Sequence, residues 1–406
     1  MVDSMKTMVK SFREACQEQH FTFNAPLPEN FPFTWYRVMR AEAPVYYDAS
    51  LQAWSLFLYK DIQQALSNYT IFSSKISLDA QAEFRPELTT LIRTDPPYHR
   101  QLRALVSQVF SPRSIATLAP IVEQIVNNLL DPLLDQGRLD VMQDVAYPIP
   151  VMVISRMLGV PLSDHKHLKP LVDRVFEQRG DTLRGSASQP GVAELVDYFR
   201  QLIAQRRCEP QQDLTSDLIQ AEIDGKHLSD DELIGFCLIL YIAGYVTTTN
   251  LIGSAFLCFD MHPEAMQQIR TNTDLLPGAL EEVLRYCSPA QSTIRLLVKD
   301  FEVGGQKLHT GESLVAWIGS ANNDERAFDD PERFDITRNP NRHMAFGHGI
   351  HFCLGAPLAR LEAPIAIRIM LERMRDISRL PGVTLEPVSL RGLYGVKNLP
   401  IAFTPA

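Results

Sequence analysis

The sequence predicts a mainly α-helical fold with small β-sheets. One long apolar segment, residues 229–263, has a helix start and a helix stop, and it is apolar on nearly all sides, as in a helix that crosses a core. Ser229 and Glu232 form a capping-box pattern at its start, and Pro263 bounds its end. Strand patterns are few and short, so the sheets are expected to be small.

The other elements follow in chain order. Residues 45–60 predict two short strands around a turn. Residues 111–137 have apolar positions three and four apart and end at Gly137, which predicts a helix. Residues 297–317 predict a hairpin that turns at Gly304 and Gly305, and residues 382–403 contain weaker β-like segments. No repeat or linker divides the chain, so a single domain spanning 1–406 is expected.

Composition bounds the classes of function. Of the 406 residues, 45% are hydrophobic and 21% are charged, which predicts a sizeable core. The net charge of −9 argues against nucleic acid and anionic membranes as general partners. The N-terminus lacks a secretory pattern, and the most apolar window, residues 233–246, is shorter than the roughly 20 residues of a membrane span. We therefore expect a cytoplasmic, monomeric protein without a membrane anchor.

One of the six cysteines lies in an unusual loop, FGHGIHFCLG, which runs from Phe346 to Gly355. Cys353 could form a zinc site with His343, His348 and His351, although the short spacings are unfavourable for four tetrahedral ligands. An ordinary thiol in a surface turn is a further possibility.

The loop also resembles, at each specified position, the Phe-Gly-x-Gly-x-His-x-Cys-x-Gly signature of the cytochrome P450 family. This resemblance implies haem b as cofactor, held between the long central helix and the cysteine loop, with Cys353 as the axial thiolate ligand of the iron. It implies that Gly347 lets the backbone bend close to the porphyrin, and that Gly355 lets a helix begin behind the ligand. Phe346 is expected to pack beside the sulfur.

A Glu-x-x-Arg pattern supports the same family. Glu282 and Arg285 share one helical face, where a surface ion pair is the ordinary alternative. The resemblance implies a buried pair that is completed by Arg333, from the Pro-Glu-Arg-Phe segment. Such a triad is expected to hold the loop that precedes Cys353.

Four further residues are expected to meet the two haem propionates. His99 and Arg103 are four residues apart and therefore share a helical face, where solvent exposure is the ordinary alternative. By the resemblance, both residues bind propionates together with Arg295 and His351. Buried carboxylates need such cations and donors.

The central helix carries the segment AGYVTTTN, residues 243–250. The resemblance implies that Ala243 and Gly244 leave room for dioxygen and that Thr247 is catalytic, although a threonine here could simply bond a helix carbonyl. Val246 stands where most members carry an acid, and valine cannot transfer a proton. Six positions are expected to face a hydrophobic substrate: Ile76, Leu78, Ala243, Thr247, Ile294 and Tyr394.

The implied function is a monooxygenase that inserts one atom of O₂ into a hydrophobic small molecule, by hydroxylation or epoxidation. The chain has no flavin or dinucleotide fingerprint, so electrons are expected from a separate ferredoxin or flavodoxin with its reductase. Two alternatives remain: a peroxide-using peroxygenase, and a haem-based sensor that binds ligand without oxidising it.

Overall fold

The computed structural model describes residues 32–49, 51–75, 91–107, 109–177, 190–223, 225–388 and 392–406. Helices dominate these residues. Those before the central helix are α1 (Phe33–Glu42), α2 (Tyr59–Ser67), α3 (Tyr98–Ser107), α4 (Pro112–Ala116), α5 (Ala119–Leu130), α6 (Pro148–Leu158), α7 (His165–Glu177), α8 (Pro190–Cys208) and α9 (Leu214–Gln220). The central helix and its successors are α10 (Asp230–Met261), α11 (Pro263–Thr271), α12 (Leu276–Tyr286), α13 (Ile318–Ala321) and α14 (Ala356–Arg373).

The strands are short and form small sheets. They are β1 (Val45–Asp48), β2 (Ala53–Leu56), β3 (Phe72–Ser73), β4 (Arg138–Asp140), β5 (Glu222–Ile223), β6 (Lys226–His227), β7 (Thr293–Leu297), β8 (Phe301–Val303), β9 (Gln306–Leu308), β10 (Ser313–Ala316), β11 (Met374–Arg379) and β12 (Pro400–Pro405). The largest sheet has the order β1-β2-β10-β7-β3, and a three-stranded sheet has the order β11-β12-β4. In the larger sheet, β2 and β10 pair in parallel, with Ala53 opposite Ser313.

Helix α10 crosses the core. The Ser229 hydroxyl accepts a hydrogen bond from the Glu232 amide, and the Glu232 carboxylate accepts one from the Ser229 amide, so the predicted capping box is present. By length and composition this is the one helix among the described residues that could cross a membrane, and 61% of its most apolar window is buried inside the fold. The prediction of a buried core helix is confirmed.

The predicted elements differ from the observed ones in two places. Residues 111–137 form α4 and α5 instead of one helix, with Pro120 in the first turn of α5. Strand β11 follows α14 directly, and its pairing with β12 was not visible in the local pattern. The strand pair at 45–56 and the hairpin at 301–308 are confirmed, and Gly304 and Gly305 adopt φ of 57° and 74° in the hairpin turn.

Candidate active site

The cysteine loop is a tightly folded segment in front of α14. Gly347 and Gly349 adopt φ of 73° and 71°, a region that favours glycine. A Cβ on Gly349 would lie 2.7 Å from the Leu66 carbonyl oxygen, so the loop packs closely on the end of α2. The Cys353 amide donates to the Phe346 carbonyl at 2.8 Å, and Gly355 is the N-cap of α14. The loop therefore presents its cysteine at the start of a helix, as predicted.

Cys353 is exposed at the surface of the loop, and protein atoms surround its sulfur closely. Burial of the sulfur raises the pKa of the thiol above its usual value. The backbone amide of Gly355, the charge of Arg103, the amide of Ala356 and the charge of Arg360 oppose this rise. The amides and the two cations are arranged to favour a thiolate, which is the form that ligates metals. This surrounding differs from that of a buried inert cysteine.

Arg103 holds the far side of the same loop. Its guanidinium donates to the Ile350 carbonyl at 3.0 Å and to the Phe352 carbonyl at 2.7 Å. Burial lowers its pKa, and the neighbouring Cys353 opposes that shift. Guanidinium has five donors, so Arg103 can clamp the loop and still meet an anion. Its predicted contact with a propionate stays a prediction.

His99, His351 and Arg295 form a buried group of donors. The two histidine rings lie 4.3 Å apart, centre to centre. Burial and neighbouring cations lower the pKa of both histidines, that of His351 to about 3, so both rings are neutral at physiological pH. Burial and the nearby Arg93 lower the pKa of Arg295 to about 10. Among the described residues, both nitrogens of His99 and Nε2 of His351 have no hydrogen-bond partner. Buried donors of this kind require an acceptor, and a carboxylate is a fitting one.

The Glu-x-x-Arg pair is buried as predicted, but its third member is a different arginine. Arg285 donates to both oxygens of Glu282, at 2.8 and 2.7 Å, and both side chains have 0% exposure. Arg338 completes the group through Nε, 3.1 Å from Glu282 Oε1. The prediction of Arg333 was wrong, because its side chain is exposed and only its carbonyl accepts from Arg285 and Arg338.

This group reaches the cysteine loop through two asparagines. The Asn341 side chain donates to Glu282 at 3.1 Å, and Arg285 donates to the Asn322 carbonyl at 2.9 Å. The Asn322 side chain then accepts from the Met344 amide at 2.6 Å. The buried pair therefore fixes residues just ahead of Phe346, and the two asparagines were missed because nothing in their local sequence marks them.

The central helix presents Ala243 and Gly244 differently. Ala243 is exposed although it lies on a core helix, which indicates open space beside it. A Cβ on Gly244 would lie 2.9 Å from Ile154 Cγ1 of α6. Gly244 therefore lets α10 pack closely on α6, and its expected role in leaving room for dioxygen stays a prediction.

Thr247 and Val246 follow on the same helix. The Thr247 hydroxyl donates to the Ala243 carbonyl at 3.3 Å, which leaves its oxygen able to accept. Val246 packs against the hydrophobic core. Tyr245, the neighbour of Val246, packs on Tyr147, and burial raises its pKa well above the usual value, so it is a poor proton donor.

The predicted substrate positions divide into three groups. Ile76 and Leu78 lie outside the described residues. Ile294 is partly buried on β7, and its pocket role stays a prediction. Tyr394 is only 6% exposed and packs with the hydrophobic core, and its pocket role stays a prediction.

Comparison with known proteins agrees with this arrangement. The family model described as Cytochrome P450 matches residues 47–377. The chain belongs to the cytochrome P450 family. Cytochrome P450 109 of Bacillus spizizenii is 39% identical over 381 residues, which cover 92% of each chain. Cyclomarin C epoxidase CymV of Salinispora arenicola is 38% identical and covers 91% of this P450 and 95% of its own length.

A solved structure shows the same fold. The crystal structure of CYP109E1 from Bacillus megaterium in complex with testosterone is 38% identical and superposes with a TM-score of 0.86. The alignment covers 92% of this P450 and 97% of that chain. The chain is therefore a cytochrome P450 enzyme with the family's fold.

The residues of this P450 fit a haem-thiolate group. Cys353 has amide donors and cations around its thiol, and the unpartnered donors of His99 and His351 fit anionic propionates. A zinc site that includes His343 is disfavoured, because its Nε2 contacts Glu281 and its Nδ1 accepts from the Ala345 amide.

Proposed function

We propose that this P450 is a haem b monooxygenase that inserts one atom of O₂ into a hydrophobic small molecule, by hydroxylation or epoxidation. The observation that carries the proposal is the loop around Cys353, with its amides and cations directed at a thiol beside a buried group of donors. When bound, the haem supplies oxygen activation under electron donation from the thiolate.

The residues of the chain have separate tasks in this proposal. Cys353 ligates the iron, while His99, His351, Arg295 and the free donors of Arg103 bind the propionates. The Thr247 oxygen, whose proton is held by the Ala243 carbonyl, accepts a hydrogen bond and positions a proton for oxygen activation. Ala243 shapes the cavity next to it.

A hydrophobic substrate is supported by the residues and by the relatives. Ala243 and Ile294 provide apolar surface in the expected pocket region. CYP109E1 binds testosterone, and CymV is named as an epoxidase of cyclomarin C, so we infer a bulky apolar substrate class for this P450 as well.

The rest of the proposal concerns the whole protein. We infer a single P450 domain over residues 1–406 that acts as a cytoplasmic monomer. In this proposal a separate ferredoxin or flavodoxin with its reductase supplies electrons to the haem.

The spectrum of the reduced protein under carbon monoxide tests this function. We expect the signature of thiolate coordination in the wild type and its loss in Cys353→His, with haem still bound. An imidazole signature in the wild type, or absence of haem after expression with haem precursors, would contradict the proposal. A panel of steroids and other apolar ligands, read by the spin change of the iron, then defines the substrate class.

A peroxide-driven reaction is the second candidate function, and Val246 favours it. This side chain packs against the core where most members carry an acid, so the helix lacks the usual carboxylate. Hydrogen peroxide brings both protons with the oxidant. Product formation with redox partners in one arm and peroxide in the other separates the two routes.

Val246→Glu tests the proton supply directly. We expect product formed per reductant consumed to rise about two-fold or more in the redox-partner arm, because a carboxyl restores a proton donor beside Thr247. Val246→Gln is the control, since it adds polarity without an acid. Equal ratios in wild type and Val246→Glu, at equal turnover, would show that Val246 does not limit proton delivery.

A further inference from the structure

Four residues form a network on the outer side of the cysteine loop, here named the Glu281 cluster: Glu281, His343, Phe346 and Arg360. Glu281 lies on α12, next to the buried Glu282, and Arg360 lies on α14. Arg360 donates to Glu281 through Nε at 2.7 Å and through Nη2 at 2.8 Å. This bidentate contact fixes the guanidinium plane as well as its position.

His343 adds a third hydrogen bond to the same carboxylate. Its Nε2 lies 3.0 Å from Glu281 Oε2, and its Nδ1 accepts from the Ala345 amide at 3.2 Å. With Nδ1 used as an acceptor, the ring is neutral and carries its proton on Nε2. His343 therefore contributes a donor and no charge, which leaves Arg360 as the cation of the cluster.

Glu281 is an anion at physiological pH. Burial alone would raise its pKa, but the hydrogen bonds from Arg360 and His343, together with the positive charge of Arg360, lower it below the usual range. The cluster therefore pairs one positive and one negative charge, and its net charge is close to zero.

Arg360 faces the cysteine loop through Phe346. Its guanidinium carbon lies 4.6 Å from the centre of the Phe346 ring, a cation–π contact. The Phe346 carbonyl accepts the Cys353 amide at 2.8 Å. Arg360 is also among the charges that favour the Cys353 thiolate, so its field reaches the sulfur.

We propose that Glu281 is a positioning residue for the cysteine ligand. It holds Arg360 over the Phe346 ring and cancels its charge, and so tunes how strongly the sulfur donates to the bound metal. This inference rests on the proposed haem-thiolate function. Reduction of the iron adds negative charge to the site. An uncompensated cation nearby stabilises the reduced state and raises the reduction potential, and an uncompensated anion lowers it.

The reduction potential of the haem-loaded protein at low ionic strength tests the proposal. Glu281→Gln leaves Arg360 unpaired and raises the potential, whereas Arg360→Gln leaves Glu281 unpaired and lowers it. The double variant returns towards the wild type. The control is Arg368→Gln on the same helix, which removes an arginine that pairs with Glu123 at 2.7 Å, and it leaves the potential unchanged.

A purely structural role gives a different pattern. Shifts of the same sign in Glu281→Gln and Arg360→Gln, or no shift in either, overturn the proposal. Arg360→Lys keeps the charge but loses the bidentate contact, so a potential close to wild type supports charge compensation, and a shift as large as that of Arg360→Gln contradicts it. If the glutamine variants do not retain haem, the reduction potential of Arg360→Lys still tests whether charge compensation sets the potential.

The carbon monoxide spectrum of the wild type separates this test from that of the proposed function. Absence of thiolate coordination there refutes the haem-thiolate assignment itself. Thiolate coordination in every variant, together with unshifted potentials, refutes only the role of Glu281.

Discussion

Arg338 and Arg333 lie in the same loop, yet only Arg338 reaches the buried carboxylate of Glu282. Arg338 donates to Glu282 at 3.1 Å and to the Asp329 carbonyl at 2.7 Å, and its side chain is 11% exposed. Arg333 has an exposed side chain and contributes its carbonyl group. A contribution made by the backbone survives substitution, whereas one made by a buried guanidinium does not.

This difference predicts opposite outcomes for two matched substitutions. Arg338→Ala is expected to lower the free energy of unfolding by about 2–4 kcal/mol, because Glu282 loses one of its buried cationic partners. Arg333→Ala is expected to change it by less than about 0.5 kcal/mol. Urea denaturation of both variants measures the two values. Equal losses would show that the side chain of Arg333 contributes to the buried group.

Glu362 on α14 carries a second buried carboxyl group. Its carboxyl group is fully buried, and neither oxygen has a hydrogen-bond partner among the described residues. Burial raises its pKa well above the usual value, so the folded protein keeps this group protonated to higher pH than the unfolded chain does.

A raised carboxyl pKa predicts how stability changes with pH. Below about pH 4.3 the folded and unfolded states both bind the proton, and above it the unfolded state releases it first. Each further pH unit therefore costs up to about 1.4 kcal/mol of stability until the folded group also ionises. Glu362→Gln removes this loss, so the variant gains stability relative to wild type between about pH 5 and pH 8.

Urea denaturation of both proteins at three pH values in that range measures the difference. Glu372→Gln is the control, because Glu372 lies exposed on the same helix. If the difference in free energy of unfolding between wild type and Glu362→Gln stays constant with pH, Glu362 ionises in the folded protein as readily as in the unfolded chain, which would contradict the prediction.

At the scale of elements, the central helix α10 depends on close contact with α6. Gly244 leaves space that Ile154 fills, and a Cβ there would lie 2.9 Å from Ile154 Cγ1. Neighbouring Ala243 is exposed. Adjacent small residues on one helix therefore differ in their surroundings, because Gly244 packs against α6 and Ala243 faces open space.

Gly244→Ala is expected to destabilise the protein by about 1–3 kcal/mol through overpacking, even though alanine favours helix. Ala243→Leu is the matched control and should change the free energy of unfolding by less than about 1 kcal/mol, because its side chain enters open space. Ile154→Ala should reduce the cost of Gly244→Ala in a double-mutant cycle. If the losses in free energy of unfolding from Ile154→Ala and Gly244→Ala are additive, the two residues do not interact, which would contradict the predicted contact.

At the scale of the whole molecule, the proposed binding of haem predicts a change in stability. The buried nitrogens of His99 and His351 have no partner among the described residues, and in the proposed function a haem propionate satisfies them. Any ligand that binds only the folded state stabilises it, by about 2.7 kcal/mol at a concentration 100 times its dissociation constant.

Removal of haem is therefore expected to lower the thermal unfolding midpoint, and added haem should restore it in a concentration-dependent way. Calorimetry of the haem-free and loaded protein measures both. In Cys353→Ser the rise with haem should be smaller, because the axial thiolate is lost. An equal midpoint with and without haem would contradict a built haem site.

The fold class, the long buried helix with its capping box, and the hairpin at Gly304 and Gly305 could be predicted from the sequence. Each depends on local pattern, because the period of apolar residues, a cap or a turn involves neighbours along the chain. The cysteine loop could also be predicted from the sequence, because its glycines, histidine and cysteine are contiguous along the chain.

The tertiary structure alone decided which distant groups meet. It selected Arg338 over Arg333 for Glu282, buried Tyr394 in the core, placed Ile154 against Gly244, and brought Glu281 to Arg360 across separate helices. The physical reason is that such contacts depend on how helices and loops pack in three dimensions, where several arginines or small residues satisfy the same local pattern. Sequence spacing determined the chemistry of the loop, and packing determined its partners.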